Sequence, residues 1–144
     1  MREYMQFYIN GEWVDPAVGQ PFDVINPATE QVCARISLGS EADVDRAVAA
    51  AKTAFASFGF SSREERMALL SRCIEVYQSR YQDMAEAIRT EMGAPKGLAE
   101  SAQAHTGLGH LQQALKVLES FEFEEDLGAH RVMKEPIGVC GLIT

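Results

Sequence analysis

No run in this 144-residue chain approaches the roughly 18 consecutive apolar residues that a membrane-spanning helix needs. It does not open on a basic stretch followed by an apolar core either. Residues 1–13 alternate polar and apolar side chains, a strand pattern rather than a secretion signal. Positive charge is scarce: 13 Lys and Arg stand against 21 Asp and Glu, a formal net charge of −8, and the basic residues are scattered. A nucleic acid or an anionic membrane surface finds no basic patch here, so both are expected to be absent as partners. Cysteine is also sparse. Cys33, Cys73 and Cys140 are odd in number, far apart and without a CxxC pair, which argues against a disulfide framework. They suit free thiols in a reducing compartment, and the expected location is the cytoplasm.

What the chain does have is the composition of a globular protein, 47% apolar and 24% charged. Asn10-Gly11 separates Gln6-Phe7-Tyr8-Ile9 from Glu12-Trp13-Val14, which predicts a hairpin on a type I′ turn. A second strand pair is predicted at residues 22–25 and 31–36, with Asn26-Pro27-Ala28-Thr29 as turn chemistry. Helices follow. Ser40 caps a run whose Val44, Ala47, Val48, Ala51 and Phe55 recur at helical spacing. Ser62-Arg63-Glu64-Glu65 has the form of a capping box, and the stripe after it runs from Met67 to Gly93 with a break expected near residues 78–83. A third helix is predicted over residues 96–120, with Gly107 and Gly109 marking close packing or a kink. Residues 121–126 and 131–135 alternate like a second hairpin, and residues 139–144 read as a fully buried strand.

The residues that carry chemistry elsewhere form no convincing constellation. His105 and His110 fall on different helix faces with no ligand at metal spacing, and His130 lies in a predicted turn. Gly107-Leu108-Gly109 lacks the preceding strand and the third glycine of a dinucleotide fingerprint, since position 112 is Gln. Cys140, flanked by Val139 and Leu142, is expected to be a core thiol and not a nucleophile, and Cys73 on its apolar stripe likewise. An apolar final strand with no crossover after it is an awkward end for a self-sufficient domain, so an incomplete chain is expected.

Local strings say more. Tyr8-Ile9-Asn10-Gly11-Glu12-Trp13-Val14, Asn26-Pro27-Ala28-Thr29-Glu30, residues 43–51, Arg66 with Leu69-Leu70, Glu91-Met92-Gly93-Ala94-Pro95 and Glu135-Pro136-Ile137-Gly138-Val139-Cys140-Gly141-Leu142-Ile143-Thr144 occur in that order. Together they resemble the N-terminal part of the NAD(P)-dependent aldehyde dehydrogenase superfamily. The resemblance implies an α/β fold in which N-terminal hairpins and helices lead into the first strand of a Rossmann-like parallel sheet. Residues 1–120 would be the hairpin and helical part of the cofactor-binding domain. Residues 121–136 would start an oligomerisation hairpin, and residues 137–144 would be the truncated first Rossmann-like strand.

The implied activity is oxidation of a small-molecule aldehyde to the carboxylic acid with NAD or NADP, in a homodimer or homotetramer. The family's nucleophilic cysteine, its glutamate and its oxyanion asparagine lie beyond Thr144, so no catalytic residue is expected here and the chain alone is expected to be inactive. Ile143 and Thr144 match positions that line the cofactor cleft. Val24, Ile25 and Glu91 match positions that hold a monovalent cation in some members, and residues 97–115 match part of the substrate pocket wall. The rival reading is a stand-alone truncated paralogue acting as an interaction or regulatory module.

Overall fold

The computed structural model describes residues 2–143. Its first unit is the hairpin β2 (Phe7–Ile9) and β3 (Glu12–Val14). Asn10 and Gly11 turn it at φ 54° and 83°, the positive values that a type I′ corner requires. Tyr8 stands opposite Trp13 across the ladder, with ring centroids 5.2 Å apart. β4 (Gln20–Asn26) then pairs antiparallel with β5 (Gln31–Leu38), with a register shift between Val24 and Ile25. The intervening turn closes on Asn26. Its carbonyl accepts the Glu30 amide at 2.8 Å, and its side-chain oxygen accepts the Ala28 amide at 2.9 Å. The short β1 (Arg2–Tyr4) lies parallel on the other edge of β5, giving the order β1-β5-β4.

The helices begin where the capping chemistry places them. α1 (Glu41–Phe58) starts after Ser40 and α2 (Arg63–Ser79) after Ser62. At α2 the Glu65 amide donates to Ser62 Oγ at 3.1 Å while the Ser62 amide donates to Glu65 Oε2 at 2.7 Å, a reciprocal box. Arg80, at φ −113° and ψ 19°, interrupts the long stripe and separates α2 from α3 (Tyr81–Met92). Gly93, left-handed at φ 70°, ends α3. A continuous helical rod follows: α4 (Lys96–Leu98), a π-helical segment Ala99–Gln103, and α5 (Ala104–Ser120). The chain closes its regular structure with the hairpin β6 (Glu124–Asp126) and β7 (Arg131–Met133), shorter at both strands than the alternation predicts.

The buried apolar residues are few and small: Ala34, Ala85, Ala99, Ala104 and Leu108. Ala85, Ala99, Ala104 and Leu108 mark the junction where the rod meets its neighbouring helices, because alanine lets helix axes approach, whereas Ala34 lies on β5. The two glycines of α5 differ in cause. A Cβ at Gly107 would lie 2.6 Å from the Tyr77 hydroxyl, whereas one at Gly109 would meet nothing within 4 Å. Close packing therefore explains Gly107 and not Gly109. Gly109→Ala is expected to raise stability by up to about 1 kcal/mol through helix propensity. Gly107→Ala is expected to lose about 1–3 kcal/mol through overpacking against that tyrosine, net of the same gain. Urea denaturation of the two variants checks the sign of each.

Three expectations are corrected. Residues 137–143 form no strand, and Ile137, Leu142 and Ile143 are 94%, 93% and 98% exposed. A strand needs a neighbour for its amides and carbonyls, and no described strand lies alongside this one. Cys140 is accordingly exposed and not a core thiol, and Cys73 is exposed as well, because its face of α2 is left uncovered. On α1 the apolar stripe is likewise open, with Val44 exposed and Phe55 half-buried.

Candidate functional site

Where β1, the β4–β5 turn and the last turns of α3 converge there is a cleft of about 320 Å³. It is lined by Arg2, Tyr4, Asn26, Cys33, Glu86, Arg89 and Glu91, among others. Each side chain arrives by a local cause. Parallel pairing of Arg2 with Ala34 and of Tyr4 with Ile36 brings the N-terminal strand to the rim. The Asx turn at Asn26 forms one wall, and Gly93 lets the end of α3 close on it: a Cβ there would stand 2.8 Å from Pro27 Cγ. Glu86 and Arg89, one helical turn apart, form a forked pair with Arg89 Nε donating to Glu86 Oε2 at 2.8 Å. Those hydrogen bonds from Arg89 hold the Glu86 carboxyl down at about 2, against a smaller opposing effect of desolvation.

Val24 and Ile25 sit at the register shift behind this cleft. The Val24 carbonyl accepts the Cys33 thiol at 3.3 Å, a weak bond. Val24 is half-buried, Ile25 is exposed, and Glu91 lies exposed at the rim. Cys33 thus links Val24 to the cleft that Glu91 borders, while Ile25 is not among its lining residues. The donors there are mainly oxygens, the set that a hard cation takes. Ile143 is solvent-exposed, and Thr144 lies outside the described residues. No group of three or more His, Cys, Asp or Glu at metal-holding distance occurs among the described residues. His105, His110 and His130 are all exposed.

The most heavily hydrogen-bonded side chain among the described residues is one that the sequence did not single out. Asp43 is 4% exposed. It accepts the Ser40 amide at 2.9 Å, the Ser40 hydroxyl at 2.7 Å, the Ala17 amide at 2.8 Å and Arg46 Nη2 at 2.6 Å. The first two bonds are legible as Ser-x-x-Asp, but the reach to Ala17, 26 residues away, has no local signal. The long-range contacts of Arg63 and Arg66 likewise have no local signal. Arg63 Nη1 donates to the Glu119 carbonyl at 3.1 Å and Nη2 to the Phe121 carbonyl at 2.5 Å, while both guanidinium groups lie within 6 Å of the Phe123 ring centroid, at 5.8 and 5.9 Å. They fasten the end of α5 and the second hairpin to α2.

A three-stranded mixed sheet beside a helical layer, with a separate two-stranded hairpin and open apolar faces, defines an α/β framework. The aldehyde dehydrogenase family model matches residues 13–144. A Staphylococcus epidermidis protein designated an aldehyde dehydrogenase is 49% identical over the whole chain, which covers 30% of that protein. Among solved structures, an aldehyde dehydrogenase from Bartonella henselae superposes with a TM-score of 0.86 at 43% identity, over 88% of this chain and 27% of that one. Aldehyde dehydrogenase C from Pseudomonas syringae, a variant solved with NAD+ and octanal, superposes with a TM-score of 0.85 at 38% identity, over 88% and 26%. This chain belongs to the aldehyde dehydrogenase family. It spans about 30% of the length of the curated relatives it matches. No helix of the described residues is long and apolar enough to cross a membrane.

Proposed function

We propose that this chain is the N-terminal framework of an NAD(P)-dependent aldehyde dehydrogenase that oxidises a small aldehyde to its carboxylic acid in a reducing, cytoplasmic setting. The observation that carries the proposal is the family match from residue 13 to residue 144, with similar folds in dehydrogenases at 43% and 38% identity. A relative solved with NAD+ and octanal supports the cofactor and substrate classes. The cofactor, when bound, takes up the hydride. Within this chain the tasks are positional. Ile143 and Thr144 would border the cofactor in the complete protein, and residues 97–115 would form one wall of the aldehyde pocket. The cation reading places a monovalent ion on the carbonyl oxygens of Val24 and Ile25 and the carboxylate of Glu91.

The exposed Leu142 and Ile143 and the uncovered faces of α1 and α2 support a chain that packs against further protein. The same openness speaks against the free-standing module, which would have to close those faces itself. The hairpin β6–β7 is the element through which a homodimer or homotetramer would assemble. Enzymatic action is expected to require the family's cysteine and glutamate, which match no residue here. The test is reduction of NAD or NADP by the complete protein with a panel of aliphatic and aromatic aldehydes. Formation of reduced cofactor and of the acid in equal amounts supports the proposal; turnover of none of the panel with either cofactor would remove it. For the cation, Glu91→Gln is expected to abolish any difference in melting temperature between sodium and lithium buffers. A difference that persists in the variant would exclude Glu91 as a ligand.

A further inference from the structure

The helical rod that begins at Lys96 is widened at one point, and two side chains from neighbouring helices reach that point. Across Ala99–Gln103 the hydrogen bonding is π-helical, with the Ala104 amide donating to the Ala99 carbonyl five residues back. Such a turn holds one residue more than an α turn, which weakens the ladder locally and calls for support from outside the helix. The Tyr81 hydroxyl of α3 donates to the Glu100 carbonyl at 2.6 Å, and the Tyr77 hydroxyl of α2 donates to the Ala104 carbonyl at 2.8 Å. One bond thus falls inside the widened turn and the other at its exit. The two rings meet edge to face with centroids 6.3 Å apart. Gly107, one turn further on, leaves the space that the Tyr77 ring fills. Burial and the neighbouring Tyr81 push the Tyr77 phenol above its ordinary range, which favours the protonated, donating form.

We propose that Tyr77 and Tyr81 are positioning residues: their hydroxyls hold the π turn at Ala99–Gln103 and thereby set the rotational phase of residues 97–115 towards the aldehyde. The pocket-wall role rests on the function proposed above; the latch itself rests only on the contacts just described. Helix phase matters because one residue of register rotates a helix by about 100°, turning a wall residue away from its pocket. With the turn latched, the face of α4 and that of α5 are held in one fixed relation. Without the latch, the five π residues can redistribute their hydrogen bonds and the wall loses its definition. Substrate binding would then suffer before the chemical step, whose groups belong to other parts of the protein.

The test uses Tyr77→Phe, Tyr81→Phe and the double variant in the complete protein, because phenylalanine removes the hydroxyl and keeps the ring. Two readouts are taken. Native-state hydrogen exchange at the Ala104 amide reports the π turn itself, and each lost hydroxyl is expected to speed it about fivefold. Steady-state kinetics on a homologous aldehyde series report the wall. KM for the aldehyde is expected to rise several-fold in the double variant, with kcat and the KM for the cofactor within about twofold of the parent. Deleting Ser101 from the double variant converts the π turn to an α turn in the same phase and is expected to restore KM. Unchanged exchange would overturn the latch. Faster exchange with unchanged KM, or a loss confined to kcat, would overturn the positioning role. If the parent protein oxidises no aldehyde while exchange still responds, the proposed function fails and the latch stands as a structural feature, so the two failures can be told apart.

Discussion

Asp43→Ala is expected to cost more stability than any other single substitution of a polar residue in the described chain. The carboxylate is the shared acceptor of the Ser40 amide and hydroxyl, the Ala17 amide and Arg46. Alanine would strip the acceptor from all of them at once while Arg46 keeps only its bond to the Asp15 carbonyl at 3.0 Å. Donors left unmatched in a part-buried site cost more than the bonds themselves return when intact. The cost is also non-local, because Asp43 joins the loop before β4 to the start of α1. Asp43→Asn keeps the shape but not the charge, and it should fall between the parent and alanine in denaturant midpoint.

The same contacts give a pH dependence with a definite sign. The Ser40 amide, then the Ala17 amide and the Ser40 hydroxyl, hold the Asp43 carboxyl well below the ordinary carboxylate range; desolvation opposes them, and Arg46 adds to them. A carboxyl depressed in the folded state contributes stability that is fully present above its unfolded value, about 3.9 for aspartate, and is lost as pH falls towards the folded value. Acid unfolding should therefore steepen below about pH 4 in the parent and flatten in Asp43→Asn. Glu86, held at about 2 by Arg89, follows the same sign below 4.5. Its pair is half-exposed, so Glu86→Gln should change the acid limb much less. A slope that Asp43→Asn leaves untouched would exclude Asp43 as its origin.

Gly93→Val is the second large effect. Two independent obstacles coincide at this position: φ is 70°, and a Cβ would approach Pro27 Cγ to 2.8 Å. A left-handed conformation costs an ordinary L-residue about 1–2 kcal/mol and a β-branched one more, and forced overpacking adds about 1–3 kcal/mol. The sum, roughly 2–5 kcal/mol, is comparable with the whole stability of a small domain. Gly93→Ala should lose the lower part of that range and Gly93→Asn less of the backbone share, since Asn tolerates this region. Equal stability of the Val and Ala variants would mean that the end of α3 swings clear of the β4–β5 turn, and the candidate cleft would open with it.

What the sequence disclosed was the part decided within a few residues. Asn10-Gly11, the Ser62 box, the break near Arg80 and the Gly93 stop are all short-range chemistry, and each element begins or ends where that chemistry lies. What escaped was decided by contact across the chain. Asp43 reaches back to Ala17, the tyrosine hydroxyls reach the rod from other helices, and β1 acquires its role only by finding an edge of β5. The π turn is invisible for the same reason, since Ala99–Gln103 reads as ordinary helix. Periodicity erred in the other direction at residues 139–143 and along the α1 stripe. It reports that a face is apolar without reporting whether anything in the chain covers it. Cys140 and Cys73 were misplaced by that gap, being apolar in context and exposed in fact.

The most direct test of the family-based function is cofactor reduction measured on two polypeptides, the complete protein and residues 1–144 alone, with NAD or NADP and the aldehyde panel. The complete protein is expected to form reduced cofactor and carboxylic acid in equal amounts, and the 144-residue chain to form neither. Aldehyde oxidation by the 144-residue chain alone, or its absence from the complete protein with every aldehyde and both cofactors, would contradict it.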